Sequence, residues 1–149
     1  MAGATLAFPT LIPASALAAP GVPGANDRLG VGVIGMGRQA GDLLKMLVGF
    51  KDVRLAGFAD VNLPRAQAMA QTHGGTAVQD YRRLLEQEDV DAIITATPEH
   101  WRILICLDAC EAGKDLYVEK PMSLTIREGR WIVEAVRRHK RVLQTGSQQ

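Results

Sequence analysis

From Leu29 onward, short apolar runs alternate with longer stretches whose apolar residues recur every three or four positions. The runs at residues 29–34, 53–59, 76–78, 91–95, 116–118 and 142–145 are rich in Val, Ile and Ala and predict six strands. The stretches at 39–50, 63–73, 81–87, 99–112 and 125–140 predict five helices. Their ends carry the expected punctuation: Pro64 in a first turn, Asp80 at a cap, Thr125 with Glu128 as a capping box, and exits at Gly49, Gly74-Gly75 and Gly113. Strands with almost no polar alternation need cover on both faces. The pattern therefore predicts an α/β domain: a doubly wound parallel sheet of about six strands in a three-layer αβα sandwich.

Residues 1–26 do not share this pattern. They hold no charged residue, are rich in alanine, and carry Pro9, Pro13, Pro20 and Pro23. The prolines exclude a membrane-spanning helix, and Ala14-Ser15-Ala16 and Ala16-Leu17-Ala18 resemble the small-residue cleavage sites of export signals. Residues 1–27 are therefore expected to be a flexible leader or the remnant of an export signal, and 28–149 the folded domain. If the leader is a signal remnant the protein is exported or periplasmic, otherwise cytoplasmic. A formal net charge of +1, with both signs interspersed, gives no footprint for nucleic acid. The basic run Arg137–Arg141 suits the negative end of a helix dipole instead. Cys106 and Cys110 share a helix face, poorly placed for a disulfide and without partners for a metal site, and read as core residues.

The chemistry is concentrated at the ends of strands. Gly35-Met36-Gly37-Arg38-Gln39-Ala40 follows the first strand and fits the dinucleotide fingerprint G-x-G-x-x-G/A. Gly35 permits the tight turn, Gly37 lets backbone approach a pyrophosphate, and Ala40 lets the helix pack close to the strand. The helix beyond aims free N–H groups at the phosphates. Asp60 ends the second strand about 20 residues on, where a carboxylate accepts bonds from the adenosine ribose and repels a 2′-phosphate. That favours NAD over NADP, with Arg65 one turn further on able to soften the preference. Two more loops, Thr95–Trp101 and Glu119-Lys120-Pro121, lie where doubly wound sheets bind ligands.

These loops carry a resemblance. "ATPEHW", "AGKDLYVEKP" and "QTGSQQ", in register with the glycine turn, are similar to the glucose–fructose oxidoreductase/inositol dehydrogenase/MocA family of dehydrogenases, from about residue 29 to the end. The resemblance implies that Lys120 stands beside the nicotinamide and the reacting carbinol and handles the hydroxyl proton, with an oxidised, cationic ring favouring the neutral amine. It implies that Glu119 holds the nicotinamide ribose or orients Lys120. It places Thr97, Pro98 and His100 along the nicotinamide, Trp101 as a wall, and Gln148 at the other edge. It implies a second, substrate-binding C-terminal domain, absent from this sequence, which supplies contacts to a sugar or polyol and usually a homo-oligomer interface. On that reading the chain binds NAD(H) weakly and turns over little by itself. One departure stands out: related sequences often continue His-Trp-His, whereas this one reads His100-Trp101-Arg102.

Blander readings exist for each signal. Glu-Lys-Pro after a strand is, without context, a solvated charged turn; His100 fits a helix start without a ligand; His73 and His139 read as structural; and Trp101 and Trp131 fit packing roles. Two other functions share the pattern: a non-catalytic NAD-binding or redox-sensing module, and an S-adenosylmethionine methyltransferase. The Glu-Lys-Pro loop and the sixth strand argue against the latter.

Overall fold

The computed structural model describes residues 17–20 and 23–147. Most of the expected leader, and Gln148, lie outside the described residues. Among those described, the elements run β1 (Leu29–Ile34), α1 (Arg38–Leu47), β2 (Val53–Ala59), α2 (Leu63–His73), β3 (Thr76–Val78), α3 (Tyr81–Leu85), β4 (Ala92–Thr95), α4 (Glu99–Glu111), β5 (Asp115–Val118), α5 (Ile126–His139) and β6 (Leu143–Thr145). A 3₁₀ turn at Ala25–Asp27 leads into β1.

The six strands form one sheet in the order β3-β2-β1-β4-β5-β6, and every pairing is parallel. β1 is central, and the chain runs outward from it in both directions. The loops leaving β1 and β4 therefore separate and open a crevice at the carboxyl end of the sheet.

Alternate residues of β1 supply the two faces. Val31 and Val33 pack with Ala40, Leu43 and Leu44 of α1 and Ala66 of α2. Ile34 joins Leu84 of α3, Ile105, Cys106, Ala109 and Cys110 of α4, and Ile132 of α5. Two-sided burial is why the strands lack polar alternation. It also places both cysteines in the core as free thiols.

Most boundaries match the punctuation. Thr125 accepts from the Glu128 N–H at 3.2 Å while the Glu128 carboxylate takes the Thr125 N–H at 2.9 Å, so the capping box is formed. Gly74 and Gly113 adopt φ of +79° and +73° where α2 and α4 end. Two helices are shorter than the periodicity predicts. α1 stops at Leu47 because exposed Val48 and Phe50 have no sheet to cover, and the chain turns back through Gly49 N–H to the Met46 carbonyl at 3.3 Å. α3 stops at Leu85, its buried Leu84 and Leu85 having already reached the sheet.

Candidate dinucleotide site

Gly35 opens the turn at φ +88°, and its N–H still bonds across to the Ala59 carbonyl at 2.8 Å. A Cβ there would lie 2.8 Å from Thr97 Cγ2 and 3.1 Å from the Thr97 nitrogen. The glycine turn and the loop after β4 thus touch at a point that admits no side chain. Thr97 is steadied in turn by Thr95, whose buried hydroxyl lies 3.0 Å from its own. Gly37 differs: it caps α1 at φ −80°, and a Cβ on it would meet nothing within 4 Å. The space in front of it is open, and the N-terminus of a ten-residue helix faces it.

Asp60 closes the β2 side of the crevice. Its Oδ2 accepts the Met36 N–H at 2.6 Å and its Oδ1 the Asn62 N–H at 2.8 Å. The carboxylate therefore pins the glycine turn to the end of β2. Each oxygen keeps a second lone pair with which to accept from a ligand hydroxyl.

Between these walls lies a cavity of about 980 Å³, at the upper end of the ~300–1,000 Å³ typical of small-molecule sites. Gly35, Gly37, Asp60, Thr97, Pro98 and Trp101 line it, as does Arg65. Gln79, Asp80, Tyr81 and Arg82 from the β3–α3 corner, together with Arg102 of α4, also line it. Their sequence carries no phosphate or ribose signature; only the folding of α3 against β2 and α4 brings them in. Tyr81 donates to Asp108 at 2.7 Å, and burial together with that bond raises its phenol well above the ordinary value. Arg82 is engaged by Asp80 at 3.1 Å and lies 4.9 Å over the Tyr81 ring, whereas the Arg65 side chain makes no ion pair among the described residues.

The other expected site residues fall outside the lining. Met36 turns its side chain into the core, Arg38 is exposed, and exposed His100 sits beside Trp101 with ring centroids 6.0 Å apart. Gln39, Glu119 and Lys120 form a separate link. Glu119 is buried at the end of β5, two strands from β1; its Oε1 accepts the Gln39 side-chain amide at 3.0 Å and its Oε2 the Lys120 N–H at 3.1 Å. One carboxylate thus joins the first turn of the fingerprint helix to the Glu-Lys-Pro loop. The Lys120 side chain is exposed and its amine makes no hydrogen bond or ion pair among the described residues.

Arg102 is the residue that sequence reasoning undervalued. It is 6% exposed, and its guanidinium donates to the Pro121 carbonyl while Nε finds no partner. Burial lowers its pKa, with Glu99 and Glu119 pulling the other way. The signal was present: Arg102, Cys106 and Ala109 lie at helical spacing in the buried stripe of α4.

Residues 29–147 match the model of the oxidoreductase family with an NAD-binding Rossmann fold, the glucose–fructose oxidoreductase/inositol dehydrogenase/MocA family. The chain belongs to this family. An uncharacterized oxidoreductase of Bacillus subtilis, YrbE, is 30% identical over 116 residues, 77% of this chain and 34% of that protein. A glycosyl hydrolase family 109 protein of Shewanella baltica is also 30% identical, over 75% of this chain and 27% of its own length. Among solved structures, KijD10, a 3-ketoreductase from Actinomadura kijaniata in complex with NADP and TDP-benzene, superposes with a TM-score of 0.76 at 27% identity, over 80% of this chain and 37% of that one. The chain spans about a third of the length of these relatives.

The cradle fits a dinucleotide on its own evidence. Open space faces Gly37 at a helix N-terminus, a carboxylate stands at the β2 edge, and the crevice runs between them.

Proposed function

We propose that this chain is the cofactor-binding part of an NAD(P)-dependent oxidoreductase that moves a hydride between nicotinamide and a CH–OH carbon of a sugar, polyol or similar hydroxyl compound. The observation that carries the reading is the Gln39–Glu119–Lys120 link, which fastens the amine-bearing loop to the helix of the glycine turn. KijD10, a ketoreductase, supports the reaction class.

Each group has a task. The turn at Gly35 and Gly37 and the α1 N-terminus bind the diphosphate, and Asp60 takes the adenosine ribose. Asp60 favours NAD and Arg65 moderates that preference, so NADP binds more weakly without being excluded. Thr97 and Pro98 bound the crevice on the β4 side, and Trp101 walls it. Glu119, with both oxygens engaged by protein donors, orients the Lys120 backbone more than it touches a ribose. The cofactor supplies or accepts the hydride. The Lys120 amine takes the hydroxyl proton when the alcohol is oxidised and returns it when the carbonyl is reduced. The chain, which spans about a third of its relatives' length, binds NAD(H) weakly and turns over little by itself.

The experiment is twofold. NADH titrated into the chain quenches Trp101, which is 47% exposed at the crevice wall; no quenching and no calorimetric heat at millimolar cofactor refutes the binding half. In a protein that includes the substrate-binding part, Lys120→Ala lowers hydride transfer by roughly 10²–10⁴-fold with NADH affinity unchanged. Near-normal turnover refutes the role of the amine; NADH binding with no hydride transfer even in the wild type leaves a non-catalytic redox-sensing module as the surviving account.

A further inference from the structure

An arginine inside a fold needs a reason. Taking a guanidinium out of water costs several kcal/mol unless hydrogen bonds and opposite charges offset it. Arg102 has few offsets: one bond to the Pro121 carbonyl, an unpartnered Nε, and no ion pair within 4.0 Å among the described residues. A residue serving only to fill the α4 stripe would do better as Leu or Met. What the guanidinium adds is a connection. Its helix contributes Glu99, Trp101 and Ile105 to the crevice wall, and its Nη1 holds the carbonyl immediately after Lys120.

We propose that Arg102 is a positioning residue that clamps the Glu119-Lys120-Pro121 loop from the α4 side. The inference rests on the cofactor reading above for its purpose, but not for its test. Lys120 projects from a backbone held on both flanks. On one side Glu119 ties it to Gln39 and the fingerprint helix; on the other Arg102 ties Pro121 to the helix behind the crevice. Each tether ends on an element that lines or faces the cavity. A ligand that tightens the crevice wall therefore tightens the loop, and the amine is presented in one direction without a bond to its own nitrogen.

The test is amide hydrogen exchange on the unliganded chain, followed by NADH titration. In Arg102→Met, which keeps the length and apolar stem, the Lys120 amide exchanges about tenfold faster, the worth of one lost hydrogen bond. Amides of Val33 and Ile93 in the sheet keep their rates. Arg102→Lys, which still offers one N–H to the carbonyl, restores most of the protection. Should Arg102→Met fail to fold, Arg102→His supplies the same local loosening in a polar background. Unchanged exchange at Lys120, or faster exchange spread evenly over sheet and loop, overturns the proposal and makes Arg102 a packing residue. NADH added to the wild type slows exchange at Lys120, and the slowing is lost in Arg102→Met. If NADH leaves the wild type untouched while the variants still loosen the loop, the clamp stands and the cofactor reading falls.

Discussion

Gly37→Ala separates folding from ligand binding more cleanly than any other single change. A Cβ at Gly37 meets no atom within 4 Å, and the residue's φ of −80° is ordinary for any side chain. The folded state accepts a methyl there without strain. Removing glycine also narrows the unfolded ensemble, worth about 0.4–1 kcal/mol in favour of folding. Alanine is the poorer helix cap, by a few tenths to about 1 kcal/mol. The two terms nearly cancel, so the ligand-free melting temperature stays within about 2–4 °C of wild type. Binding behaves differently, because the open space ahead of Gly37 is where a diphosphate must approach the α1 N-terminus. A methyl there pushes the phosphates from the N–H groups and costs at least about 1.4 kcal/mol, a tenfold loss of affinity. The assay is thermal melting with and without NADH. At a hundredfold excess over Kd the wild type gains about 2.7 kcal/mol, or roughly 5–10 °C for a chain of this size. Gly37→Ala gains markedly less at the same NADH concentration. A variant that melts far below wild type without ligand refutes the open geometry of the turn. One that is stabilised by NADH as fully as wild type shows that no diphosphate lies there.

Gly35→Ala has the opposite profile: a methyl forced to φ +88° and into Thr97 costs about 1–3 kcal/mol even without ligand, seen as a lower urea midpoint, and an unchanged midpoint counts against the tight contact with Thr97. Asp60→Ala strips acceptors from the Met36 and Asn62 N–H groups, lowering stability by about 1–3 kcal/mol and weakening NADH binding; full retention of both is the adverse result. Burial pushes the Cys106 thiol up to about 12. The stability that comes from keeping it neutral is complete below the unfolded thiol value near ~8.5 and is lost as pH rises through the folded value. At about pH 9, iodoacetamide therefore modifies Cys106 in urea and spares it in the native chain; equal rates contradict its burial.

Local signals were enough for the architecture. The apolar strand runs, Pro64, Asp80, the Thr125–Glu128 box and the glycine exits each act within a few residues, so periodicity and punctuation alone predicted a six-stranded parallel sheet. The glycine turn was equally legible: Gly35 takes the φ of +88° that its turn requires, the space ahead of Gly37 is open, and Asp60 follows the end of β2. Two helix ends were overestimated, since Val48 and Phe50 continue a helical pattern that the sheet does not cover. What lay beyond the sequence is whatever depends on two distant segments meeting. Asp60 reaches Met36, and Glu119 bridges 80 positions back to Gln39. Tyr81 and Arg82 arrive at the crevice from a corner with no phosphate signature. Helical spacing puts Arg102 in the α4 stripe with Cys106 and Ala109, but its partner, the Pro121 carbonyl, arrives only because β5 ends beside α4. Chain-local propensities fix which elements form; side-chain partnership is fixed by the sheet order, which brings the ends of β2, β1, β4 and β5 together at one edge.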